Sequence, residues 1–135
     1  MNKFIFDLQR FAKLGNYTFD TDSNGAYLIK SEQDLRNFSS YVREGNRCEN
    51  LTFKLANDIT LNGKFEPIGN ELCHFEGTFL GEGKTISGLS ITGEYIQAGL
   101  FAYNEGTISG VKLYQATIKN NRRSFVGAIT GYNYG

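Results

Sequence analysis

The side chains able to do chemistry are few, and their spacing restricts them further. His74 is the one histidine in 135 residues. A zinc site built on two or more histidines is therefore excluded. A Ser-His-Asp triad would have to run through His74, with no Gly-x-Ser-x-Gly elbow for its nucleophile. Cys48 and Cys73 are too few for a disulfide framework and too far apart for a Cys-x-x-Cys redox pair. Each stands a few residues ahead of a strand-like run, one layer apart. A disulfide between neighbouring layers and two free buried thiols both fit that placement. Asp20-x-Asp22-x-Asn24-Gly25 has the opening half of a calcium loop. The twelfth position is Ser31, and Glu32 comes one residue late for the bidentate closing ligand. Asp20, Asp22 and Asn24 are expected to form a polar turn instead, with calcium ligation the alternative. Asp58, Glu66, Glu76 and Glu82 are the carboxylates a glycoside hydrolase would draw on, two of them facing each other about 5–9.5 Å apart. Aligning Gly77 on Gly99 sets Glu82 beside Asn104 and Glu76 beside Ala98, so no pair forms and no catalytic residue is expected. No P-loop and no dinucleotide fingerprint occurs, and no cofactor is expected.

The elements that must position these residues are set by composition and pattern. Fourteen Lys and Arg balance fourteen Asp and Glu. That zero net charge argues against nucleic acid or an anionic membrane as partner, because both demand a basic excess. Apolar residues make up 40% of the chain, and mean hydropathy is −0.36. No run is long enough to span a bilayer as a helix. Sixteen Gly, one Pro, no Trp, eleven Phe and eight Tyr describe short strands joined by tight turns. Residues 1–16 form a leader segment. Its apolar run Phe4-Ile5-Phe6 is stopped by Asp7, unlike a secretory signal peptide.

Tyr17-Thr18-Phe19 and Tyr27-Leu28-Ile29 flank a turn ending in Asn24-Gly25, which predicts a hairpin. Leu35, Phe38 and Val42 then fall on one helical stripe. Ser31 is the N-cap, Glu32 and Asp34 occupy the first turn, and Arg43 and Gly45 mark the end. The spacing predicts a capping helix at about 32–44, covering the N-terminal end of the strand repeats. From Leu51 onward the chain repeats. Gly77-Thr78-Phe79 is echoed by Gly99-Leu100-Phe101, and Thr85-Ile86-Ser87-Gly88-Leu89 by Thr107-Ile108-Ser109-Gly110-Val111, both at a shift of 22. A third start, Gly127-Ala128-Ile129, comes later because residues 119–123 lengthen the repeat. Tyr103-Asn104 recurs as Tyr132-Asn133. A period in the low twenties with alternating strand words signals a solenoid. The expected fold is all-β, a right-handed parallel β-helix forming one domain over 17–135. Its expected ladders put Phe79 over Phe101, Ile86 over Ile108, Leu89 beside Val111 and Ile91 beside Leu113.

Gly99-Leu100-Phe101-Ala102-Tyr103-Asn104-Glu105-Gly106-Thr107-Ile108 resembles the GLUG motif of bacterial surface and adhesin-like proteins. Leu55-Ala56-Asn57-Asp58-Ile59-Thr60-Leu61, Pro67-Ile68-Gly69 and the Phe75 to Ile86 segment are similar to what precedes such repeats. The resemblance covers about residues 25–135, with Ala102 in place of the second motif glycine. It implies a β-helical, exported, non-catalytic role. Phe6-Asp7-Leu8-Gln9-x-Phe11-Ala12 resembles a leader of some bacterial phage-type structural proteins. The function expected is a binding or adhesion module at a bacterial surface or outside the cell. Its partner would be a polysaccharide or a host or cell-surface protein, without membrane insertion. Tyr95, Tyr103, Tyr114 and Tyr132 are the candidate stacking contacts, with corner packing the alternative. A carbohydrate-active enzyme fragment and a phage or envelope structural protein are the competing functions. At the C-terminal layer around Phe125, Val126 and Ile129, either a longer parent protein or self-association is expected.

Overall fold

A computed structural model describes residues 10–122 and 125–135; Phe4 to Asp7 of the leader and the end of the 119–123 segment lie outside them. The described chain is mostly β with one helix. It opens with β1 (Phe11–Leu14), β2 (Tyr17–Thr21) and β3 (Tyr27–Ile29), followed by α1 (Glu32–Arg43), β4 (Thr52–Leu55) and β5 (Ile59–Thr60). After residues 61–77 come β6 (Thr78–Leu80), β7 (Thr85–Ser87), β8 (Ser90–Gly93), β9 (Gln97–Ala98) and β10 (Phe101–Asn104). The last five strands are β11 (Thr107–Ser109), β12 (Lys112–Tyr114), β13 (Thr117–Asn120), β14 (Phe125–Val126) and β15 (Thr130–Asn133).

The expected hairpin forms, β2 running antiparallel to β3. It gains a third strand, because β1 pairs antiparallel with β2 and sets Leu14 opposite Tyr17. Part of the expected leader is thus built into the sheet, and the domain starts before residue 17. From β3 onward every pairing is parallel: β3 with β4, β4 with β6 and β6 with β11 in one sheet, then β5 with β7 and β7 with β12, β8 with β13, β9 with β14, and β10 with β15. Strands β4, β6, β7 and β8 each carry one or two apolar residues inward, as period-2 alternation requires.

The register corrects the expected ladders. Phe79 lies between Phe53 and Ile108, not under Phe101. Ile86 lies between Ile59 and Leu113, and Ile91 pairs with Ile118. Phe101 bridges Ile68 and pairs with Thr130. Phe53 to Phe79 is a step of 26, Ile59 to Ile86 of 27 and Phe79 to Ile108 of 29. The step of 22 aligned two strands of different sheets. Thr-Ile-Ser-Gly is written twice because β7 and β11 each end at a left-handed glycine corner, Gly88 at φ 74° and Gly110 at φ 65°. The likeness records a shared local conformation, not stacking.

The helix forms for the reasons its sequence suggests. Asp34 N–H donates to Ser31 Oγ (3.1 Å), and Lys30 N–H donates to Asp34 Oδ2 (3.0 Å). Gly45 takes the left-handed conformation just past its end, at φ 115°. Its apolar stripe reaches into the core. Phe38 sits among Phe53, Phe75, Phe79 and Phe101, with ring centroids 4.3, 5.6, 5.5 and 6.2 Å away. All five rings are fully buried. The polar side of α1 holds the chain between β5 and β6, which has no ladder of its own. Arg36 donates to the carbonyls of Asn62 (2.8 Å) and Lys64 (2.7 Å), Ser39 to Glu66 (2.7 Å), and Arg43 to Pro67 (3.1 Å) and Gly69 (2.9 Å). Backbone acceptors that lack a strand partner need such donors wherever water is excluded. Glu32 completes the strap, accepting from Asn62 N–H (2.9 Å) and from Arg36 (3.0 Å). The Asn62 amide, then Arg36, hold its carboxyl below the usual carboxylate range.

Candidate functional site

A column of rings runs across the layers at β10 and β15. Parallel pairing sets Tyr103 beside Tyr132, and the bridge of Phe75 to Asn104 brings His74 beside Tyr103. His74 stacks on Tyr103 at 3.5 Å between centroids and 10° between planes. Tyr103 stacks on Tyr132 at 4.6 Å and 27°. Tyr132 then meets Phe125 edge-on at 5.0 Å and lies 6.5 Å from Tyr134. Glu71 O lies 3.0 Å from His74 Nε2. On the other side, Glu105 Oε1 approaches His74 Nδ1 to 3.1 Å, without the alignment of a hydrogen bond. Desolvation, followed by the neighbouring Tyr132, raises the Tyr103 hydroxyl above its ordinary pKa.

Stacking decides which rings can take a ligand. A ring face lying against another ring has no room for a sugar face, so Tyr103 presents an edge and a hydroxyl. Open area collects at the far end of the column, where Tyr134 is 74% exposed and Phe125 55%. Of the four candidate tyrosines, the structure brings Tyr103 and Tyr132 together. Tyr114 is exposed but belongs to β12, in another sheet. Tyr95 is a corner. Its hydroxyl donates to Glu66 (2.8 Å), and its backbone exchanges two 2.9 Å hydrogen bonds with the Asn120 amide. Burial, and then the bond to Glu66, raise its pKa. Sequence reasoning did not place His74, Phe125 and Tyr134 in this column. A signal for the column was present: His74, Tyr103 and Tyr132 follow one another at 29 residues, the step of the aromatic layers rather than of the strand words.

Beside Tyr95 opens a cavity of about 330 Å³ lined by Arg43, Asn70, Glu71, Gln97 and Arg122 among others. Gln97 is buried there, and its Oε1 has no hydrogen-bond partner among the described residues.

The Asp20 to Gly25 segment is a turn whose carboxylates already have cationic partners. Asp22 Oδ1 accepts from the amides of Asn24 (2.8 Å) and Ala26 (2.9 Å), while Oδ2 pairs with Lys54 (2.9 Å). Asp20 pairs with Lys30 at 2.9 Å. Lys54, then the Ala26 amide, hold the Asp22 carboxyl below its usual range. The other carboxylates serve separate corners. Asp58 accepts from Thr85 N–H, Glu76 pairs with Arg47, and Glu66 gathers Tyr95, Lys64 and Arg43. Glu82 is exposed at a left-handed corner, φ 54°. Cys48 and Cys73 are both buried with free thiols.

No protein-family model matches the chain, and no solved structure matches it. The chain is similar to a protein of Evansella cellulosilytica named "Putative Gly-rich membrane protein", with 34% identity over 122 aligned positions. The match covers 81% of this chain but spans 13% of that protein's length. Among the described residues no helix is long and apolar enough to cross a membrane.

Proposed function

We propose that the chain is a non-catalytic binding module of right-handed parallel β-helical, GLUG-like architecture. It works at a bacterial surface or outside the cell, and its ligand is a polysaccharide. The observation that carries the reading is the aromatic column, whose open end offers Phe125 and Tyr134. Parallel pairing of β14 with β9 and the Tyr134 N–H bond to Asn104 O place these rings before a ligand arrives, which lowers the entropic cost of binding. Parallel ladders that recur every 26 to 29 residues support the β-helical part. The named Gly-rich relative supports a place at the cell envelope. A glycan array probed with the chain is expected to single out one polysaccharide class. Replacing Tyr134 and Phe125 together by Ala should weaken that binding about tenfold. No glycan bound, together with no binding to matrix proteins, would remove the reading.

A second reading, self-association, is favoured by a separate observation. Strands β11 to β15 each lie at the edge of a sheet, paired on one side alone. Ile108 and Ile129 line an open recess of about 340 Å³ at that end. Unpaired edges beside a recess that sets these two isoleucines among Asn104, Thr107, Thr130 and Asn133 invite another chain. Light scattering after size exclusion should show a concentration-dependent dimer that Ile129→Lys abolishes. A wild-type chain that stays monomeric at high concentration defeats it.

A further inference from the structure

The buried cysteines lie in segments that are tied together closely. Glu76 N–H donates to Arg47 O at 2.7 Å, and Thr78 N–H to Leu51 O at 2.9 Å. The Arg47 guanidinium reaches across to Glu76 (2.8 Å) and to Leu72 O (3.3 Å). A Cβ built on Gly77 would lie 2.5 Å from Cys48 O. Within this junction Cys48 Sγ lies 3.6 Å from Asn46 O. Cys48 is 6% exposed and Cys73 4%, in the same apolar cluster. Nothing in the proposed ligand contact uses either thiol.

We propose that Cys48 and Cys73 are a paired modification site, oxidised to an intramolecular disulfide by thiol–disulfide exchange with an external disulfide. In the first step the Cys73 thiolate attacks one sulfur of the oxidant, forming a mixed disulfide and releasing one thiol. In the second, the Cys48 thiolate attacks the Cys73 sulfur and releases the other thiol. Two thiol protons leave, the two cysteines are oxidised together by two electrons, and the external disulfide is reduced to two thiols. The order follows from the surroundings. Burial, with the charge of Cys73 added, pushes the Cys48 thiol up to about 12. Burial also raises Cys73, but the Arg47 charge beside it works in the opposite direction. Cys73 is therefore the first nucleophile and Cys48 the resolving one.

The test equilibrates the full chain with oxidised and reduced glutathione, with and without mild urea to permit local opening. Alkylation under denaturing conditions and intact-mass measurement follow. The expected product has lost two hydrogens, takes up no alkylating agent, runs as a monomer without reductant, and yields a Cys48–Cys73 cross-linked peptide. Its melting temperature should exceed that of the reduced chain by roughly 10 °C, since the bond closes a loop between two layers. Cys48→Ser should stop at the mixed disulfide with glutathione. Two alkylated thiols under both conditions overturn the proposal, as does a product consisting of mixed adducts or covalent dimers. A glycan array run in reductant leaves this outcome untouched, so the two readings fail separately.

Discussion

Phe38→Ala should cost about 3–5 kcal/mol, the range for truncating a buried aromatic when its cavity cannot collapse. Collapse is prevented here because the ring's neighbours belong to different layers: Phe53 on β4, Phe79 on β6 and Phe101 on β10, with Phe75 between them. Strand β4 is held by ladder hydrogen bonds to β6, and β10 by its own to β15, so none of them can move inward alone. Urea unfolding followed by far-UV circular dichroism measures the effect, as a lower midpoint at unchanged slope. Phe125→Ala is the control; half of that ring is already in solvent, and the change should stay within about 0.5 kcal/mol. A loss under about 1 kcal/mol for Phe38→Ala would mean that the helix does not seal the phenylalanine core.

Gly106→Ala should be comparably severe for a different reason. Its added Cβ would stand 2.0 Å from Gly77 O and within 3 Å of Glu76 C and Gly77 N, all backbone atoms of the layer beneath. Gly106 N–H also donates to Phe75 O at 3.0 Å, so the two layers cannot separate without losing that bond. Overpacking of this kind costs about 3 kcal/mol at the upper end of its usual range. Gly63→Ala separates this effect from backbone strain. Gly63 has φ 81°, and a Cβ added there would meet nothing within 4 Å, so only the left-handed penalty of about 1–2 kcal/mol applies. Hydrogen exchange should show β11 to β15 losing protection in Gly106→Ala and keeping it in Gly63→Ala. Equal losses in the two variants would mean that close approach of the layers is not what Gly106 provides.

Much of the local structure was legible in the residues. Ser31, Asp34 and Gly45 delimit the helix because caps act within a single turn of backbone. The Asn24-Gly25 turn and the alternation in Tyr17 to Phe19 delimit the hairpin in the same way. Inward-facing Phe53, Phe79, Ile86 and Ile91 follow from a period of two. The same local rules misled the stacking, since Thr85 to Gly88 and Thr107 to Gly110 share a conformation without sharing a partner. Of the candidate tyrosines, Tyr103 and Tyr132 were brought together by their parallel register, while Tyr95 was drawn to a corner by Glu66 and Asn120.

The type and bounds of α1 and of the β2–β3 hairpin were therefore determined by the sequence alone, through interactions that reach no further than about one turn, whereas β1 was not. The register between layers, the aromatic column from His74 to Tyr134 and the ring partners of Phe38 were decided by the tertiary structure. Register depends on how much chain each corner takes up between one strand and its partner 26 to 29 residues later. That length is set jointly by glycines that let backbones touch, by arginines of α1 that hold a segment without strands, and by the fit of the phenylalanine core, none of which is a property of neighbouring residues.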